Sequence, residues 1–292
     1  MNKNQKKKER QDFFTNLLRF LILILVFLLI ITLFYLFYNF FWLKYQESRI
    51  VNYNINLHNQ LERKSSEILD KVNRNISFTG QNSTEIKQDL EIAKQENAKL
   101  SEIIADYESK SSDLKSSSNP DYENLREKIK ESFLIKKEAI TDFQEVNNYL
   151  ICLGEKTVLL VVLQEKITPY NQDPDLLNSQ GAIDKANREI QEDSNKAIVE
   201  MQKIPECFSN RLSPYLDQNL LKIIQDSSII IEDQVKIQSQ NEQKTAEVEI
   251  PLFESKNRKF LESPLNLLSQ SEEKLKNVNQ NIETAISEIE KK

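Results

Sequence analysis

The sequence predicts an all-α protein: one N-terminal transmembrane helix, then a long coiled-coil hairpin and a compact helical bundle. Three observations lead there. Residues 20–43, FLILILVFLLIITLFYLFYNFFWL, hold no charge, no Gly and no Pro. Beyond them, apolar residues recur at steps of three and four, the helical period. The chain has 3 Gly in 292 residues, where average usage of about 7% would give around 20. Tight hairpin turns and phosphate loops draw on Gly for positive φ or close approach, so few of either fit.

Phe20–Leu43 is long enough to cross a bilayer, which takes roughly 20 apolar residues. Lys3, Lys6, Lys7, Lys8, Arg10 and Arg19 precede it, against Glu9 and Asp12. Shortly after it come only Lys44 and Arg49. The more basic flank stays on the cytoplasmic side, so residues 1–19 are expected inside and residues 44–292 outside. Phe40, Phe41, Trp42 and Tyr45 crowd the far end, where aromatic rings favour the headgroup level. A cleaved signal peptide would need a shorter apolar run followed by small residues, so the expectation is an uncleaved signal-anchor in the cytoplasmic membrane. With so short a tail inside, function is expected outside.

Residues 1–45 hold seven basic and two acidic side chains, a net +5, while the whole chain is −6. The difference, −11, falls on residues 46–292. An acidic exterior is a poor match for nucleic acid, which needs clustered Lys and Arg.

In the expected stalk, residues 44–118, a first helix over 46–78 carries Ile50, Leu57, Leu61, Ile68, Val72 and Ile76 on one face. Thr79 to Ser83 supply turn residues. A second helix over 84–115, N-capped by Ser83 or Thr84, carries Ile86, Leu90, Ala93, Asn97, Leu100, Ile104, Tyr107, Ser111 and Leu114 at alternating steps of four and three. That is a coiled-coil seam, with Asn97 placed to set register. It closes on the first helix or pairs with another copy.

Ser116 to Pro120 reads as a linker. The bundle, residues 119–241, begins with a helix over 120–150 bearing Leu125, Ile129, Phe133, Ile140, Phe143 and Leu150. A buried helix follows over Thr157–Ile167, around VLLVVL, residues 158–163, too short to span. A second linker is expected from Pro169 to Pro174. Helices over 174–204, ended by Pro205, and 213–241 complete the bundle, the latter carrying Leu216, Leu220, Ile223, Ile230 and Ile237. Residues 242–292 read as an irregular stretch, with a brief strand-like alternation over 246–253, and a C-terminal helix over 263–290.

The inventory for chemistry is thin. Cys152 and Cys207 are the only cysteines, and each is expected beside a helix boundary. In an oxidising compartment they would pair. His58 is the only histidine; it is read as a solvated stalk residue, remote in sequence from both cysteines, so no Ser-His-Asp or Cys-His constellation is expected. Zinc sites of the Cys/His kind lack ligands, no calcium loop is present, and no metal or cofactor is expected. Asn75-Ile76-Ser77 and Asn82-Ser83-Thr84 match the glycosylation pattern in a chain rich in Asn and Ser. The expectation is a non-enzymatic, membrane-anchored scaffold or interaction module. It would meet a protein partner, or a second copy, through the seam. A ligand-sensing ectodomain working with a second membrane protein is the alternative, and a hydrolase comes last for want of a nucleophile motif.

Overall fold

In the computed structural model the described residues are 3–72, 82–173, 179–216, 218–234 and 259–290, and every regular element among them is helical. The elements are α1 (Lys3–Phe37), a π-helical turn (Tyr38–Trp42), α2 (Leu43–Val72), α3 (Ser83–Asp113), α4 (Pro120–Gln172), α5 (Gln180–Gln202), α6 (Gln218–Gln234) and α7 (Lys259–Glu290). Short 3-10 turns at Ile204–Cys207 and Ser213–Tyr215 lie between α5 and α6. The alternation at 246–253, the turn residues 79–81, the sequon at Asn75 and the side chains of Val72, Ile76, Leu177, Ile230 and Ile237 lie outside what is described.

The chain forms two compact units. One comprises residues 1–56 and 115–126; the other comprises 57–114 and 127–292.

In the first unit, α1 from Phe20 onward is apolar around its whole circumference, with Leu25 66% and Phe34 73% exposed. Two helical stretches, Leu17–Lys71 and Pro120–Tyr170, are long and apolar enough to cross a membrane; none of the first apolar window is buried and half of the second is. On α2, Glu47, Val51 and Asn54 form the buried face. Ser116 to Pro120, expected as a linker, is an ordered cap. Glu47 accepts hydrogen bonds from the hydroxyls of Ser117 and Ser118. The Asn54 amide closes both backbone groups of Lys115, donating to its O at 2.9 Å and accepting from its N at 3.0 Å. Asn119 Oδ1 then accepts from Asp121 N at 2.9 Å. Pro120, Asp121 and Glu123 fill the first turn of α4, where a missing N–H is harmless and acids complement the helix dipole.

In the second unit, α4 runs through the centre. The expectation of separate helices at 120–150 and around 158–163 is corrected: one helix of 53 residues covers both. VLLVVL is uniformly apolar because it is buried on two sides. Ile151 and Val158 pack on Ile86, Leu90 and Ala93 of α3, while Leu160, Leu163 and Ile167 pack with Ile190, Ala197 and Met201 of α5 and Leu220, Ile224 and Ile231 of α6. The linker expected from Pro169 is also corrected, since α4 continues to Gln172. Pro169 sits in the last turn, where its carbonyl accepts from Asp173 N at 2.9 Å.

Polar pairs fix the directions. Ser83–Glu165, Asn97–Asn148 and Glu108–Lys137 make α3 antiparallel to α4. Lys156–Glu200 and Lys166–Asp193 do the same for α5, and Asp142–Ser271 with Glu138–Lys274 for α7. The N-cap of α3 is Asn82, one residue earlier than expected. It accepts from Thr84 N and Glu85 N, and the Glu85 carboxylate accepts in turn from Asn82 N, a capping box. Ser83 instead binds the Glu165 carboxylate through backbone and hydroxyl, at 2.7 and 2.6 Å.

Cys152 and Cys207 lie at disulfide distance, S–S 2.04 Å and Cα–Cα 5.6 Å. Cys207 follows Pro205 in a 3-10 turn as expected, but Cys152 lies deep inside α4 rather than at a boundary. The bridge ties α4 to the turn after α5 and closes a separation of 55 residues. For loops of that order, cross-linking removes about 2–4 kcal/mol of unfolded-state entropy. Reduction with dithiothreitol, or Cys152→Ser, is expected to lower stability by about that amount, read as a drop in the urea midpoint of the full chain in detergent.

Candidate functional site

The chemistry-bearing residues of the second unit gather along α4 as polar layers, each with a buried member on α4. The first is built from α2, α3, α4 and α7. His58 (6% exposed) and Glu62 lie one turn apart on α2, Phe133 and Lys136 nearly one turn apart on α4. The imidazole stacks on the Phe133 ring, centroids 6.1 Å apart at 13°, and Tyr107 meets the same ring edge-on at 5.4 Å. Lys136, 1% exposed, is ion-paired with Glu62. Asn279 of α7 donates to the other Glu62 oxygen at 2.6 Å, and Tyr107 donates to Ser65 at 3.1 Å.

The electrostatics follow from burial. Burial lowers the His58 imidazole to about 4; the nearby Lys136 charge acts in the same direction and Glu62 against it. His58 Nδ1 is buried without a hydrogen-bond partner among the described residues. Burial also lowers the Lys136 ammonium, and the bond and charge of Glu62 oppose that. His58 is thus a neutral core residue, and its reading as a solvated stalk residue is corrected. The signal that would have found it is the spacing Leu57, Leu61 and Ser65, whose face His58 shares.

A second layer joins Asp142 of α4 (4% exposed) to Arg211 and to Ser271 Oγ at 3.0 Å. A third joins Asn147 and Asn148 of α4 to Asn97 of α3, at 3.2 and 2.6 Å. Asn97 therefore makes its hydrogen bonds to α4. Nearer the disulfide, Tyr149 is fully buried against Phe208 with its hydroxyl unpaired among the described residues.

The seam is placed as follows. Ile86, Leu90, Ala93, Leu100 and Tyr107 are buried, while Asn97 and Ile104 are half-buried and Glu96 and Ile103 occupy the interior beside them. The stripe has slipped by one residue in mid-helix, because α3 must serve α4 as well as α2. Leu114 is buried but extended, just past the helix end. Among the described residues no group of three or more His, Cys, Asp or Glu is placed to hold a metal ion. Lys136, the most buried charged side chain described, is held by Glu62. Comparison with family models, with curated proteins and with solved structures finds no match.

Two outcomes follow. The unfolded state protonates His58 near pH 6.5 and the folded state only near 4. Its contribution is therefore complete above about 6.5 and lost as pH falls to about 4, a change of about 3 kcal/mol. Urea midpoints between pH 7 and 4 should fall more steeply for the native chain than for His58→Phe. The ion pair should behave asymmetrically: Glu62→Gln strands a buried charge and should cost about 3–5 kcal/mol, whereas Lys136→Met removes one and should be close to neutral. Equal losses for both, in the same unfolding assay, would contradict this account.

Proposed function

We propose that this chain is a non-enzymatic scaffold or interaction module, anchored in the cytoplasmic membrane by one helix, Phe20–Leu43, with residues 44–292 on the outer face. The observation that carries the reading is the contrast in burial. The apolar window of Leu17–Lys71 is wholly exposed, whereas few of the large apolar side chains described beyond residue 45 are exposed. Water does not tolerate such a surface and a bilayer does. Pro120–Tyr170 passes the same length test but is half buried, as a core helix is. The basic flank supports the orientation, and the Cys152–Cys207 pair supports an oxidising compartment.

The hairpin of α2 and α3 works here as part of the bundle rather than as a free stalk. Its seam residues are spent on contacts within the chain, so a partner or second copy meets the charged outer faces. Lys64–Asp106 and Lys94–Glu155 are examples of the polar surface available. The interior between α4, α5 and α6 is filled by Leu160, Leu163, Ile190, Ala197 and Met201, which favours a solid scaffold over a ligand sensor.

The full chain should stay with membranes through an alkaline carbonate wash, and external protease should digest it beyond residue 44. Crosslinking in those membranes should recover a second protein or a second copy. Release by carbonate overturns the anchor, protection from protease overturns the orientation, and a strictly monomeric product overturns the scaffold.

A further inference from the structure

The part of α2 that follows the apolar helix presents a face without acids. The chain holds 45 Asp and Glu in 292 residues, yet residues 48–61, SRIVNYNINLHNQL, contain none. Taking 100° per residue, Tyr45, Arg49 and Tyr53 fall within an arc of about 80°, and all three are exposed. Arg49 Cζ lies 6.0 Å from the Tyr45 ring centroid, and Lys115 Nζ lies 4.2 Å from that of Tyr53. Lys115 is fixed by its backbone: Asn54, 3% exposed, donates to its O and accepts from its N. All of these residues belong to the first unit.

Neither Arg49 nor Lys115 is ion-paired with a carboxylate among the described residues. Glu47, the acid nearest to Arg49 in sequence, lies about 160° round the helix from it, buried and bound to Ser117 and Ser118. Two cations thus stand on aromatic rings without counter-charge, in an exterior that is otherwise acidic. The rings that carry them are eight residues, about 12 Å, apart along α2. One small anion cannot meet both. Two carboxylates on a single helix can, since side chains seven residues apart share a face at a spacing of about 10.5 Å. Height selects the partner as well. Arg49 and Tyr53 are six and ten residues, about 9 and 15 Å, beyond Leu43, whereas the headgroup layer adds only about 5–7 Å to each side of the hydrocarbon. The face therefore begins at the membrane surface and ends above it. Tyr and Arg on a rigid element are the residue types of binding hot spots.

We infer that Tyr45, Arg49, Tyr53 and Lys115 dock an acidic helix of a second membrane protein, which runs beside α2 above the headgroups with one carboxylate at Arg49 and another at Lys115. This rests on the anchored-scaffold reading and names the surface it uses and the charge of its partner. The occupant is acidic because the cations carry no counter-charge. It is a helix because the two charges lie about two turns apart along a helical ridge, which another helix packs against. It is membrane-anchored because the face starts where α2 leaves the bilayer. A second copy is the wrong occupant for this face, since it would bring the same cations to the same height.

The probes are two synthetic helical peptides of one composition, with two Glu either seven or three residues apart. The full chain in phosphatidylcholine nanodiscs should bind the seven-apart isomer about fivefold tighter, which is what one more exposed ion pair contributes, read by fluorescence anisotropy of the labelled peptide. Arg49→Gln/Lys115→Gln should erase that preference. Arg49→Glu/Lys115→Glu should transfer it to the peptide with Lys in place of both Glu, which verifies that the face is intact. Equal binding of the two isomers, binding of neither, or a preference that survives the Gln variant overturns the site. Polyphosphate that binds the native chain when neither peptide does assigns the face to an anionic polymer and overturns the acidic helix. Crosslinking in membranes separates this site from the reading it rests on. A partner recovered equally with the native chain and the Gln variant overturns the site and leaves the scaffold standing; no partner with either overturns the scaffold, and the site with it.

Discussion

Burial of α4 on several sides is the constraint on which the second unit depends. A helix whose middle reads ICLGEKTVLLVVL has too wide an apolar surface for one neighbour. It needs α3 against Ile151 and Val158, and α5 with α6 against Leu160 and Leu163. The polar pairs set α3, α5 and α7 antiparallel to α4. Apolar contact alone leaves axial sliding cheap, since one leucine layer resembles the next. The polar layers remove that freedom: a helix shifted by one turn would bury Lys136, Asp142 or Asn147 without partners, at a cost of several kcal/mol for a charge.

This explains why a chain with so few chemical groups places its strongest ones inside. Lys136 and His58 resemble catalytic equipment by burial and by the direction of their shifts. Yet Lys136 is occupied by Glu62, which Asn279 also holds. Perturbed titration marks functional sites only probabilistically, because structural ion pairs perturb it too. Here the arrangement specifies which helix faces which. The disulfide acts on the same problem from the other end, tying the turn after α5 to α4 where Tyr149 and Phe208 pack.

The first unit follows a different logic. Residues 17–37 of α1 are all exposed, and the buried face of α2 is largely polar, made of Glu47, Val51 and Asn54. Those side chains order Lys115 to Asn119, a stretch whose Ser and Asn content reads as a linker. The hydroxyls and backbone amides that make such a stretch soluble when free are the groups a buried carboxylate and amide need as partners.

Much was legible in the sequence. The helical class follows from step-three-and-four periodicity and scarce Gly, the exposed apolar helix from an uncharged run, and the buried seam positions Ile86, Leu90, Ala93, Leu100 and Tyr107 from their spacing. Composition and period determine these, and both are local. Cys152 and Cys207, the only cysteines, lie at disulfide distance, and the expectation that they pair came from the compartment. Tertiary structure alone decided that α4 is unbroken, that the seam closes on α4, that Asn82 rather than Ser83 caps α3, and that His58 is a neutral core residue stacked on Phe133. The spacing of Leu57, Leu61 and Ser65 gives the face that His58 shares, but not the groups that meet it there. The environment of His58 is set by residues as distant as Phe133 and Lys136, and only packing brings those to it.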